Sequence, residues 1–217
     1  MLRGTQILHA WRGSGVAASQ SVELLPQIEI ALQTSGVALR DLAFCAVAIG
    51  PGSFTGLRVG LATAQGLADT LGLPLVGVST LDALALAAGL SPHTVAVLPS
   101  GRNEIFAQSF SVAQADAVTP LDELFHAPPS GLYAQMQSCR ELIWAGEGTD
   151  FLHADTLRQF AAEHNLAWRI AANDAPLAIS LGHLARRAWA EGAASDNLTR
   201  ALYLRADTFV KASPVTL

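Results

Sequence analysis

The chain alternates between short apolar runs and segments in which apolar residues recur every three or four positions. Residues 43–49 are apolar throughout, as expected for a strand that is buried on both faces. Three glycines follow within the seven positions 50–56. Beyond them the apolar positions recur at helical spacing: Leu57, Leu61, Ala64, Ala68 and Leu71. The pattern predicts a strand, a glycine-rich turn and a helix that ends at Gly72.

The same alternation predicts elements along the rest of the chain. Strands are expected over residues 5–11, 74–78, 94–98, 104–110 and 141–146. Helices are expected over residues 19–34 (with Pro26 in the first turn or at a kink), 79–88 (capped by Ser79), 150–165 and 176–191. Residues 113–138 read as loop and short helix. Such alternation is typical of an α/β fold, and a boundary near residues 98–102 would divide a lobe 1–98 from a lobe 99–217.

The glycine-rich turn is a candidate anion site. A turn of this kind directs backbone N–H groups outward at the positive end of a helix dipole. It is not a Walker A loop, because no Gly-Lys-Ser/Thr follows, and it is one residue longer than the dinucleotide fingerprint. A tight turn in which glycine only permits unusual backbone angles is the alternative. The candidate nucleotide or anion contacts are Gly50, Pro51, Gly52, Ser53, Phe54, Thr55, Gly56 and Arg58.

One side of the helix after the turn carries only small or β-branched residues. They are Val59, Ala62, Thr63, Gly66 and Thr70. Such residues let another helix approach closely, because little side-chain bulk intervenes. Either a neighbouring helix of the same chain or a partner subunit would fill this stripe.

Composition narrows the function classes. The 217 residues are 51% hydrophobic and 14% charged, with a net charge of −5. The hydrophobic content is sufficient for a sizeable core. The negative net charge leaves no broad basic face, which argues against tight binding of tRNA by this chain alone. No run reaches the length of a membrane span, and the N-terminus does not lead into a signal-peptide core, so a cytoplasmic location is expected.

The residues indicate no catalytic or metal site. The six histidines form no H-E-x-x-H spacing, and Cys45 and Cys139 share no metal-like spacing. Ser53 and Thr55 do not fit the G-x-S-x-G nucleophile motif, and the carboxylates are scattered. Arg102, in the turn between two predicted strands, reads as an anion contact or as an ordinary turn residue.

Residues 50–60, Gly-Pro-Gly-Ser-Phe-Thr-Gly-Leu-Arg-Val-Gly, closely resemble the TsaB family, bacterial partner subunits of the machinery that makes threonylcarbamoyladenosine in tRNA. The similarity continues at 64–68 and 76–81, upstream at Leu24-Leu25-Pro26 and near the C-terminus at Tyr203-Leu204-Arg205. It is dense over residues 43–84 and thin from 110 to 200. It implies a two-lobed actin-like (ASKHA, ribonuclease-H-like) α/β fold, with mixed sheets flanked by helices.

The resemblance also implies partners. TsaB proteins pair through their first helices with themselves or with the catalytic subunit TsaD, which implies an interface that adds Leu24, Gln27 and Ile28 to the stripe of small residues. The ATPase TsaE would join through that complex, tRNA would be contacted only indirectly, and no cofactor is required, with ATP or ADP at the partner interface as an option.

The family's opening Asp-Thr-Ser strand has no counterpart here, so the first lobe is expected to be shortened, by truncation or divergence. The alternatives are a kinase-like or nucleotide-hydrolysing enzyme, which needs that Asp, and a metalloprotease, which needs a histidine pair that Gln20 and the scattered histidines do not provide.

Overall fold

The computed structural model describes residues 1–13, 17–101, 103–135, 141–152, 154–172 and 175–192. Arg102, Cys139 and the Tyr203–Arg205 segment lie outside the described residues. The predictions made for them are therefore not addressed by the structure.

Helices and strands alternate along most of the described chain. The helices are α1 Ala17–Ser35, α2 Phe54–Leu71, α3 Thr80–Ala87, α4 Pro129–Gln135, α5 Ala154–Glu163 and α6 Ala178–Ala190, with 3₁₀ turns at Leu39–Asp41 and Glu147–Phe151. The strands are β1 Leu2–Arg3, β2 Gln6–Ile7, β3 Cys45–Gly50, β4 Leu75–Ser79, β5 Ser91–Gly101, β6 Glu104–Gln114, β7 Ala117–Pro120, β8 Phe125–Ala127, β9 Glu141–Ala145 and β10 Ala167–Ile170.

Local sequence signals fix the ends of the first three helices. At the end of α1, Gly36 has a φ of 61° and the N–H of Val37 donates to the carbonyl of Leu32 at 3.1 Å, which satisfies a carbonyl that the helix leaves open. Gly72 ends α2 in the same left-handed conformation, with a φ of 65°. Ser79 caps α3 by accepting a hydrogen bond from the N–H of Asp82.

The described strands form three sheets. β1 and β2 make a small antiparallel hairpin, and β3 and β4 make a parallel pair. The third sheet is mixed and has the order β10-β9-β5-β6-β7, with β8 also paired to β6. The β5–β6 hairpin is its centre, and the predicted boundary between residues 98 and 99 falls inside β5.

Helices cover both faces of the parallel pair β3–β4. Val47 of β3 faces α2, where it lies near Gly60, whereas the neighbouring Ala46 packs into the cluster beneath α6. Successive strand residues point to opposite faces, so α2 and α6 lie on opposite sides of the parallel pair. Leu184 of α6 also packs against the cluster of α3 and the mixed sheet. Helix α6 therefore joins the core of the parallel pair to that of the mixed sheet.

Some expected elements differ from those observed. The single strand predicted at residues 5–11 is instead the hairpin β1–β2, and the region 113–138 contains β7 and β8 in addition to α4. The helix predicted at 150–165 is α5, preceded by a 3₁₀ turn, and β10 was not expected. Pro26 lies in the interior of α1. Because proline has no N–H, it removes one hydrogen bond from the ladder of that helix.

Candidate functional site

The glycine-rich turn joins the end of β3 to the start of α2. The Gly50–Pro51 peptide is cis, Pro51 is buried, and Gly50 has a φ of 105°, a value that glycine tolerates best. Gly52, with a φ of 158°, is close to extended backbone. The hydroxyl oxygen of Ser53 accepts a hydrogen bond from the N–H of Gly56 at 3.3 Å and caps the helix.

The first turn of α2 presents an aromatic ring and a cation to solvent. Phe54 is 54% exposed, and the Cζ atom of Arg58 lies 3.7 Å from the centre of its ring. Thr55 is also exposed, whereas Gly56 is half-buried. The stack holds the guanidinium beside the glycine-rich turn.

The exposed surface of α2 continues from this stack along a row of residues four positions apart. Its members are Phe54, Arg58, Ala62, Gly66 and Thr70, all exposed. No atom lies within 4 Å of the point where a Cβ on Gly66 would be, and the hydroxyl of Thr70 donates to the carbonyl of Gly66 at 2.6 Å. Beside the row, Val59 and Thr63 are half-buried. Three of the five predicted stripe residues thus lie on an open surface.

Helix α1 packs beside α2 and carries exposed apolar side chains of its own. Val22 is 73% exposed, Leu25 56% and Ile30 41%. Large apolar side chains this exposed on one helix are typical of an interaction surface. We call the α2 row together with Val22, Leu25 and Ile30 the α1–α2 face.

Three α1 residues that the resemblance places at the interface border a cavity in the structure. Leu24, Gln27 and Ile28 are half-buried and line a cavity of about 150 Å³ that the N-terminal hairpin and the start of α6 also border. The inward face is thus the one with Leu24 and Ile28. Sequence reasoning did not identify this face, because apolar residues lie on both sides of α1. On the exposed side Gln33 Nε2 donates a hydrogen bond to the carboxylate of Glu29 at 3.2 Å.

A second polar cluster lies near the tip of the β5–β6 hairpin. His126 Nε2 is 2.6 Å from Ser100 Oγ and 3.2 Å from a carboxylate oxygen of Glu104. A carboxylate beside Nε2 favours the form of the imidazole that carries its hydrogen on Nε2. The hydroxyl oxygen of Ser100 is then the acceptor of that hydrogen. A serine nucleophile needs the opposite arrangement, with its hydroxyl donating to the imidazole. This geometry favours a tie between β5, β6 and β8 over a catalytic dyad.

Burial shifts the pKa values of two other ionisable groups, Asp82 and Cys45. Asp82, at the start of α3, has a pKa raised by burial, and its hydrogen bond with Ser79 opposes that rise. Burial also raises the pKa of the Cys45 thiol in β3, which disfavours the reactive thiolate. Among the described residues, no three histidine, cysteine or acidic side chains come together as metal ligands. No helix in the described ranges is both long and apolar enough to cross a membrane.

Comparisons with known proteins bear on the fold and the family. A family model described as TsaD, tRNA N6-adenosine threonylcarbamoyltransferase, matches residues 10–175. A crystal structure from Pseudomonas aeruginosa, of an uncharacterized protein with similarity to peptidase YeaZ, matches with a TM-score of 0.69 and 27% identity, covering 85% of this chain and 83% of that one. The predicted fold class, an actin-like α/β fold with mixed sheets flanked by helices, is confirmed.

Curated relatives match over shorter segments. The tRNA threonylcarbamoyladenosine biosynthesis protein TsaB of Escherichia coli K12 is 50% identical over 62 residues, which are 29% of this chain and 27% of that protein. The TsaB of Haemophilus influenzae is 41% identical over 86 residues, which are 38% of this chain and 36% of that protein. The chain thus spans between 27% and 36% of the length of these two curated relatives.

Proposed function

The chain belongs to the protein family of TsaD, the tRNA N6-adenosine threonylcarbamoyltransferase, and within it to the TsaB proteins; on this premise we propose that it is a non-catalytic partner subunit of TsaD. Its role is to bind and support TsaD while TsaD transfers the threonylcarbamoyl group to adenosine in tRNA in the cytoplasm. TsaE joins through the resulting complex, and tRNA is contacted only indirectly. Without TsaD, two copies of the chain pair with each other.

The observation that carries this proposal is the α1–α2 face. Val22 and Leu25 are 73% and 56% exposed, and the neighbouring helix offers Ala62 and Gly66, above which space is open. A partner helix would come close over the small residues and cover the larger side chains. Full burial of an exposed aliphatic side chain contributes about 1.5–3 kcal/mol. Covering these partly exposed side chains would contribute a part of that, so this face gives association a favourable apolar term.

Charge supports an indirect role in RNA binding. The net charge is −5, and the cation of the α1–α2 face, Arg58, lies over the ring of Phe54. Protein chains that hold nucleic acid by themselves present several cations to neutralise phosphates. We propose that TsaD, and not this chain, supplies the contact with tRNA.

We propose that the glycine-rich turn Gly50–Gly56 shapes the entry into α2 and meets ATP or ADP only when TsaD is bound. Its backbone already serves the helix, since the N–H of Gly56 is taken by Ser53 Oγ and the N–H of Leu57 by the carbonyl of Ser53 at 2.8 Å. Titration calorimetry with ATP should give no heat with this chain alone and measurable heat with the complex. Binding of ATP to the chain alone would contradict this assignment and favour the nucleotide-hydrolysing alternative.

Size-exclusion chromatography with light scattering tests the partner role. The chain alone should elute as a dimer, and a mixture with TsaD of the same organism should elute as a mixed complex. Leu25→Arg should abolish both species, because a cation would be desolvated in an apolar contact. The matched control is Leu121→Arg, since Leu121 is 50% exposed and follows β7 in the mixed sheet. A wild-type chain that stays monomeric and ignores TsaD would overturn the proposal.

A further inference from the structure

We draw no further inference here: the strongest candidate, the apolar cavity of about 150 Å³ between the N-terminal hairpin, α1 and the start of α6, carries none because nothing in the described part of the chain shows what covers or fills it.

Discussion

Gly66 gives a sharp test of the α1–α2 face because two substitutions there should have opposite effects. It lies in the interior of α2, is exposed, and has no atom within 4 Å of the point where a Cβ would be. An isolated chain therefore has room for a side chain at this position. A partner helix packed over the row would not leave that room.

The expected magnitudes follow from this geometry. Gly66→Ala should raise the free energy of unfolding by about 0.5–1 kcal/mol, since glycine costs roughly that much in a helix interior. For a chain of this size that is a rise of about 1–4 °C in melting temperature. Gly66→Trp should leave the chain folded but weaken association by about 1.4–3 kcal/mol, because the ring would overpack the contact with the partner helix. That loss is about a 10- to 150-fold rise in Kd.

Two assays separate these effects. Urea unfolding followed by circular dichroism gives the stability, and it should be run at low protein concentration because self-association adds apparent stability. Titration calorimetry with TsaD gives the affinity. Ala162→Trp is the matched control, because Ala162 is exposed on α5 and lies outside the α1–α2 face.

Either assay can refute the reasoning. If Gly66→Ala lowered the stability of the isolated chain, the open space above α2 would not exist in solution. If Gly66→Trp bound TsaD as tightly as the Ala162→Trp control, the α1–α2 face would not be the binding surface. A Gly66→Trp variant that failed to fold would also contradict the structure, since Gly66 is exposed and a Cβ there would meet no other atom within 4 Å.

The remaining predictions concern the fold and its response to pH. Gly146→Ala should lower the free energy of unfolding in urea by about 3 kcal/mol or more, because the new Cβ would overlap the carbonyl oxygen of Val97 and the φ of 104° disfavours a side chain. Gly72→Ala is the control for the backbone conformation alone, since Gly72 has a φ of 65° and open space for a Cβ; it should lower that free energy by only about 1–2 kcal/mol. Ser53→Ala should cost about 1 kcal/mol through loss of the α2 cap, and Ser53→Asp should retain most of that stability. Burial lowers the pKa of His93 from its ordinary value of 6.5. The unfolded chain therefore binds more protons than the folded one, and stability is lost as pH falls below 6.5. His93→Gln should flatten the pH dependence of the urea midpoint between about pH 7 and pH 5, and an unchanged slope would assign the loss of stability to other groups.

Much of the fold around the glycine-rich turn could be predicted because its signals are local. The apolar run before Gly50, the cap residue Ser79 and the terminating Gly72 each act within a few residues, and the helices and strands they predict are observed. The actin-like fold class came from the resemblance, which is also dense here. The pairing of strands that are distant in sequence was harder to predict. The strands β7 and β10 are short and lie at the edges of the mixed sheet, so their pairing depends on neighbours distant in sequence.

The interface remains a prediction, but the structure shows which of its residues are exposed. The small residues of α2 showed by their spacing which surface a helix could approach, and Ala62, Gly66 and Thr70 are exposed. The outward residues of α1 could not be identified in the same way. Both sides of α1 carry apolar residues, and only packing against the hairpin and α6 places Leu24 and Ile28 inward and Leu25 outward.

The packing of α6 has a consequence for how the chain folds as the ribosome makes it. Val76 and Val78 of β4 meet their buried partner Ala185 about a hundred residues later in the sequence. At about 5–20 residues per second, that partner is synthesised roughly 5 to 20 s after β4. During this interval the parallel pair β3–β4 lacks the cover that α6 gives it. The nascent chain therefore presents apolar strands that a chaperone could recognise until its last described helix leaves the exit tunnel.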